Sequence, residues 1–273
     1  MGTDRNPQAK EMADESMVRN LDLQARAIWP QERALFERYR LAPDAKILDV
    51  ACGTGEITRR LAGLFPHASI VGVDLETAHL ERARRACAAL PNPPSFATGD
   101  AFELAFPDRS FDLVVNRHML QAVPDAPRVL AELVRVTRAG GTLHVLAEDY
   151  AMMHFHPTRL DADDFWRLGP ITYAANAGTD LRGGRKVYTW MRERGLVDVR
   201  VDYVTVDTVR VERDLFARIW EAWRDGYTDT IAARTTLARD RVWDHWNDMI
   251  AAIRDPHGYA VWQVPVASGT VAR

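Results

Sequence analysis

A doubly wound α/β fold built on a mainly parallel sheet of seven strands is what this 273-residue chain predicts, on three observations. Short runs of branched apolar residues alternate with helical periodicity between residues 46 and 147, so successive strands need crossover connections and the sheet is covered on both faces. A glycine-rich turn, Gly53-Thr54-Gly55, separates the first strand of that series from its first helix. Past residue 147 the rhythm gives way to longer, aromatic elements, including a helical insertion ahead of a last strand.

In order, residues 1–40 read as an N-terminal helical arm. Its first 18 or so residues are polar and solvated, and Leu21, Ala25, Ile28, Leu35, Phe36 and Tyr39 follow at helical spacing, broken near Trp29-Pro30 into two helices. The core, 41–150, reads as strand 46–50, helix 56–65, strand 69–73, helix 77–90, strands 95–98 and 111–115, helix 126–137 and strand 142–147. Ala139-Gly140-Gly141 is expected to end the last of these helices. A substrate-side segment, 151–209, is irregular to 180, then helical over 184–194 and a strand over 197–209. Two amphipathic helices fill 210–255 as an insertion or lid, and 256–273 holds a final antiparallel strand, 259–266, and a tail.

Composition narrows the function. Charged residues make up 27% and hydrophobic ones 47%, ordinary for a globular chain. A net charge of −3 with no run of Lys or Arg gives no footprint for nucleic acid. No stretch reaches the ~20 apolar residues of a membrane span. Two cysteines, Cys52 and Cys87, make no disulfide framework, and the N-terminus lacks the apolar core of a signal peptide, so a cytoplasmic protein is expected.

The glycine turn lets backbone approach a ligand without side-chain obstruction. Two carboxylates at strand ends sharpen this. Asp74, after Val71-Gly72-Val73, can accept from the hydroxyls of a ribose, and Asp100, in Gly99-Asp100-Ala101, from an adenine amino group. A dinucleotide fingerprint also has an acidic residue about 20 positions on, but it needs a third glycine where this chain has Thr58. Asp49, just before the turn, would repel a pyrophosphate and attract an ammonium. Three carboxylates around a glycine turn suit a cationic nucleoside such as S-adenosylmethionine.

Ile47-Leu48-Asp49-Val50-Ala51-Cys52-Gly53-Thr54-Gly55, Val71-Gly72-Val73-Asp74, Gly99-Asp100-Ala101 and Phe111-Asp112-Leu113-Val114-Val115 resemble the class I methyltransferases, in their ubiquinone/menaquinone-biosynthesis-like, small-molecule branch. The likeness covers roughly residues 40–150, and Tyr259-Ala260-Val261-Trp262 is similar to that family's antiparallel last strand. It implies a Rossmann-like methyltransferase fold. It also implies a cofactor site in which Gly53 and Gly55, with Ala51, line the methionine part and Asp74 and Leu75 the ribose. Asp100 and Ala101 flank the adenine, Asn116 approaches the sulfonium through its backbone, and Asp49 acts on the ammonium. Asp112, at the far end of its strand, is structural.

Methyl transfer to a hydroxyl or protonated amine also needs a base. The carboxyl edge of the sheet, where ligands of such folds bind, offers His118 as that base. Arg117, Gln121, Tyr150 and His154 are the acceptor-binding candidates. His154 and His156 alternate as metal ligands in an extended segment do, but no third ligand is committed, so no metal is assigned. Of eight tryptophans, Trp220, Trp223, Trp243 and Trp246 fall in the insertion, and at least one is expected to wall an acceptor pocket. The resulting expectation is transfer of a methyl group to oxygen or nitrogen of a small aromatic metabolite, with a homodimer left open. Its rivals are a nicotinamide-dependent oxidoreductase and a non-catalytic S-adenosylmethionine-binding module with a protein partner.

Overall fold

The structure, a computed structural model, describes residues 5–8, 11 and 14–273. The expected alternation is present: α1 (Glu15–Glu37), β1 (Lys46–Val50), α2 (Glu56–Leu64), β2 (Ser69–Asp74), α3 (Thr77–Cys87), β3 (Ser95–Thr98), β4 (Phe111–Arg117), α4 (Ala126–Val136) and β5 (Thr137–Leu146). Then follow β6 (Met153–His156), α5 (Ala162–Leu168), α6 (Pro170–Asn176), a 3₁₀ turn (Gly183–Lys186), α7 (Val187–Glu193), β7 (Val197–Asp207), α8 (Arg213–Arg234), α9 (Arg239–Arg254) and β8 (Tyr259–Thr270).

Strands β3-β2-β1-β4-β5 are parallel in that order, and β8 runs antiparallel beside β5. Trp262 of β8 pairs with Met153 of β6 on one side and Val206 of β7 on the other, so β5 and β6 lie end to end along one edge of β8 and β7 takes the other. The sheet has eight strands where seven are expected, because β6 forms inside the stretch that reads as irregular. One apolar cluster, including Val129, Leu133 and Met191, covers one face, and another, including Phe36, Ile57 and Leu61, covers the other. A third, aromatic cluster joins α1, α5, α8 and α9 to β6–β8, around Trp166, Trp220, Trp246 and Trp262. Among the described residues, no helix is long and apolar enough to cross a membrane.

Three local expectations are corrected. Gly140 and Gly141 do not end α4; they lie in β5, where Gly140 at φ +77° donates to the Val271 carbonyl. The polar arm is not wholly solvated, since Gln8 and Glu11 are buried and accept from Tyr227 and Thr230. Pro30 does not divide the arm into two helices but sits inside α1. Proline removes one helical hydrogen bond there, and tertiary anchors on either side outweigh the loss. Ala27 and Ile28 pack into the aromatic cluster, and Gln31 makes a two-way amide bond with the Thr205 backbone at 2.7 and 3.1 Å.

Glu32 completes the anchorage. It is fully buried, and one of its oxygens accepts from Arg117 Nε at 2.8 Å and His144 Nε2 at 3.0 Å. The other His144 nitrogen meets the Tyr39 hydroxyl at 2.6 Å, and Phe36 stacks on the ring at 4.2 Å. Burial alone would raise the Glu32 carboxyl; the Arg117 guanidinium and His144 outweigh it and hold it at about 2. Burial lowers His144, which therefore stays neutral and donates through Nε2.

Glu32→Ala would strand the buried Arg117 charge, so urea denaturation should show an unfolding free energy lower by ~3–5 kcal/mol. A carboxyl depressed from 4.5 to about 2 contributes stability that is complete above 4.5 and lost as pH falls through that interval. The gap between wild type and variant should therefore narrow on acidification across this window. An equal gap throughout would show that Glu32 is not the group that titrates.

Candidate active site

Ligand crevices of open α/β sheets lie beyond the carboxyl ends of the strands. Here a cleft of about 1020 Å³ opens there, and Ala51, Gly53, Asp74, Leu75, Asp100 and Ala101 all line it. The turn that forms its floor is held open by backbone in the left-handed region, at Ala51 (φ +60°), Gly53 (φ +53°) and Gly55 (φ +79°). For Ala51 that conformation is strained by ~1–2 kcal/mol. Asp74 fixes the turn: one carboxylate oxygen accepts from Gly53 N at 2.7 Å, the other from Glu76 N at 2.9 Å. Each oxygen keeps a lone pair for a further donor. Leu75 beside it is 50% exposed, an apolar surface that a flat ring can cover.

Three expected cofactor residues, Gly55, Asn116 and Asp49, do not line the cleft itself. A side chain at Gly55 would meet Ala83 Cβ at 2.8 Å, so this glycine lets α2 and α3 approach rather than receiving a ligand. Asn116 is fully buried and donates from Nδ2 to the Val50 carbonyl at 3.0 Å, stitching β4 to β1; Arg117, His118 and Met119 face the cleft instead. Asp49 lies in an adjoining recess that shares Ala51, Gly53, Arg117 and His118 with the cleft. Its carboxylate accepts from Thr58 Oγ1 at 2.6 Å. Burial pushes it up to about 6, with Thr58 and Arg117 pulling down and Asp74 and Glu32 pushing up. Asp112 is structural, accepting from Lys46 N at 2.8 Å and pairing with Arg138.

The N-terminal arm contributes residues that no motif signals. Arg5 Nη1 pairs with Asp100 at 2.6 Å and lies over the Phe102 ring, and Arg5, Asn6, Gln8 and Phe102 all line the cleft.

His118 stands on the cleft wall with φ +56°, an uncommon conformation for a side chain of this size. Its backbone N–H donates to the Leu146 carbonyl, and its Nδ1 hydrogen-bonds Glu148, whose side chain is 2% exposed. With a carboxylate on Nδ1, a neutral imidazole carries its proton there and leaves Nε2 as the basic nitrogen. Nε2 is buried without a protein partner.

Behind His118 lies a second cavity, of about 360 Å³, walled by Tyr150, Trp166, Tyr173, Trp223, Tyr227 and Trp246. Trp262 spans the interval, 6.3 Å from the His118 ring and 5.3 Å from that of Trp223. Gln8 lines both cavities. Of the insertion's tryptophans, Trp223 and Trp246 face this chamber. Trp220 is in the core against Phe216, and Trp243 sits under Arg224.

Tyr150 lines this chamber, and the remaining acceptor-binding candidates divide. Arg117 lines the cleft, but its Nε is committed to Glu32. Gln121 is buried under Gly183 and reaches neither cleft nor chamber. His154 is exposed on β6 with His156, on the side of the strand away from the chamber. Among the described residues no cluster of three or more His, Cys, Asp or Glu could hold a metal.

Residues 48–145 match the family model of a methyltransferase domain. The chain is 38% identical over 202 residues to the demethylmenaquinone methyltransferase of Symbiobacterium thermophilum, covering 67% of this chain and 80% of that one. Trans-aconitate 2-methyltransferase of Deinococcus radiodurans is 44% identical over 103 residues, 38% of either chain. In fold, the chain is similar to phosphoethanolamine N-methyltransferase 2 of Haemonchus contortus, solved with phosphomonomethylethanolamine and S-adenosylhomocysteine. The TM-score is 0.63 at 19% identity, over 98% of this chain and 60% of that one.

The Asp49 environment has a direct readout. Carbon-13 NMR of its side-chain carboxyl should titrate with a midpoint near 6, and Thr58→Val, which removes a hydrogen bond favouring the charged form, should move it upward. A midpoint near the ordinary 3.8 would show that Asp49 is solvated rather than enclosed.

Proposed function

Since this chain belongs to the class I S-adenosylmethionine-dependent methyltransferases, we propose that it methylates an oxygen or nitrogen of a small aromatic metabolite, with His118 as the base. The observation that carries this reading is the His118–Glu148 pair on the wall of the cleft, whose Nε2 has no partner among the described residues.

S-adenosylmethionine supplies the electrophilic methyl group. The cleft residues fit it. Asp74 accepts from the ribose diol, Leu75, Asp100, Ala101 and Phe102 surround the adenine, and Ala51 and Gly53 give close backbone approach to the methionine part. The Asp49 recess faces the ammonium, whose positive charge favours the ionised carboxyl. Tyr150, Trp223 and Trp246 hold the acceptor, and α8 and α9 form the wall that excludes water from it. Holding two reactants in line supplies much of the acceleration, with effective molarities reaching ~10⁵ M or more. With the cofactor bound, His118 Nε2 would take the acceptor's proton as the methyl group passes from the sulfonium, leaving the thioether S-adenosylhomocysteine, to the acceptor oxygen or nitrogen, and Glu148 would stabilise the imidazolium that results. The buried, unpaired Cys52 and Cys87 accord with a cytoplasmic enzyme.

Asp74→Ala should weaken S-adenosylmethionine binding at least tenfold by calorimetry, through loss of charge-assisted bonds of about 1.5–3 kcal/mol each. Unchanged affinity in a folded variant would remove the cofactor assignment. His118→Ala should slow the methyl-transfer step by ~10²–10⁴ in single-turnover assays while cofactor affinity stays close to wild type. Loss of affinity with an unimpaired step would make His118 a binding residue.

A further inference from the structure

The aromatic chamber carries a pattern of hydrogen-bonding groups that its packing does not explain. Among the described residues, Trp166 Nε1, Trp246 Nε1, the Tyr173 hydroxyl and Gln8 Nε2 are all buried without a partner, and all four side chains line this one cavity. Each residue is at most 5% exposed. A buried donor with no acceptor is costly, and such groups are few per hundred residues of a native domain. Indole and amide N–H groups donate and cannot accept. The Gln8 carbonyl already accepts from Tyr227 at 2.9 Å, so among the described residues three of these four groups can only donate, and the Tyr173 hydroxyl can donate or accept. Among the described residues the lining also includes Pro170, Leu181 and Ile231 but no Asp, Glu, Lys or Arg. A charged ligand would therefore enter without a counter-ion.

We infer that the chamber selects an uncharged, planar aromatic acceptor bearing carbonyl or ether oxygens, which accept from Trp166 Nε1, Trp246 Nε1, the Tyr173 hydroxyl and Gln8 Nε2. The ring surface is supplied by Tyr150, which lies 5.3 Å from Trp166 and 5.6 Å from Trp223 between ring centroids. Gln8, shared with the cleft, marks the end nearest the methyl donor. This inference rests on the methyl-transfer reading for what happens to the bound molecule, but the recognition is a property of the chamber itself.

Two uncharged bicyclic probes of like shape separate the contributions: chromone, with a ketone and a ring ether, and naphthalene, with no oxygen. Binding is measured by fluorescence titration of the full chain saturated with S-adenosylhomocysteine. Chromone should bind at least tenfold more tightly than naphthalene. Trp166→Phe and Trp246→Phe keep an aromatic ring but remove the donor along with part of the ring surface; each should weaken chromone binding by roughly threefold to tenfold more than it weakens naphthalene binding. Trp220→Phe removes an indole N–H that is equally unpartnered but lies outside the chamber, and should change neither. Equal affinity for the two probes, chromone binding indifferent to both chamber variants, or no binding of either probe to a protein that holds S-adenosylhomocysteine would each overturn the inference while sparing the cofactor reading. Failure to bind S-adenosylhomocysteine would instead defeat the cofactor reading on which the proposed reaction stands.

Discussion

One buried carboxylate, Glu32, joins the arm to the sheet and the sheet to the cleft. It belongs to α1, outside the repeating core, yet it accepts from Arg117 at the end of β4 and from His144 in the middle of β5. Arg117 in turn lines the cleft and precedes His118, so the backbone that presents the proposed base is steadied from the opposite face of the sheet. The same guanidinium is shared unequally between two carboxyls. It helps hold Glu32 ionised, while Asp49, more weakly compensated, stays near the point where it can change charge. Removing water from such a pair is costly unless every partner stays in place. That cost makes the position of α1 relative to the cleft specific rather than merely favourable.

What the sequence makes legible follows from how far each signal reaches. Strands buried on both faces read as continuous apolar runs, so Ile47-Leu48 and Leu113-Val114-Val115 announce a parallel sheet without reference to anything distant. Carboxylates at strand ends are equally local, and Asp74 and Asp100 stand in the cleft as their spacing implies. Glycine is ambiguous at the same range: the letter at position 55 cannot distinguish room for a ligand from room for Ala83. Contacts between Gln8 and Tyr227, Arg5 and Asp100, or Glu32 and Arg117 span 219, 95 and 85 positions, and periodicity carries no information about which helix meets which strand. Pro30 shows a local rule losing to such contacts, since the anchors at Ile28 and Gln31 keep α1 continuous. His154 shows that alternation along a strand does not by itself say which side is inside.

The two halves of the molecule use different means to build a cavity. The cleft is shaped by backbone, with Ala51 and His118 held in conformations that a side chain rarely adopts and Asp74 bracing the turn between them. Strain of this kind persists only where the surroundings over-determine it. The chamber is shaped by ring packing, with Trp166 edge-on to Trp246 at 5.5 Å and Trp220, Trp223 and Trp262 filling the space behind. A backbone-built cleft suits a cofactor common to a whole family, whereas a side-chain-built chamber can be re-cut by substitution without disturbing the sheet.

The pairing of β8 has a kinetic side. It is the last strand of the chain, yet it lies inside the sheet, with β5 and β6 along one edge and β7 along the other. Among the described residues neither β6 nor β7 has any other strand partner. During synthesis the parallel half of the sheet can close as soon as β5 has left the ribosome, while β6 and β7 wait with open edges until Tyr259–Thr270 emerges. The aromatic cluster around Trp262 is therefore completed after the parallel half of the sheet and spends longer as exposed apolar surface. That interval is when a chaperone would be needed and when edge-to-edge aggregation competes with folding.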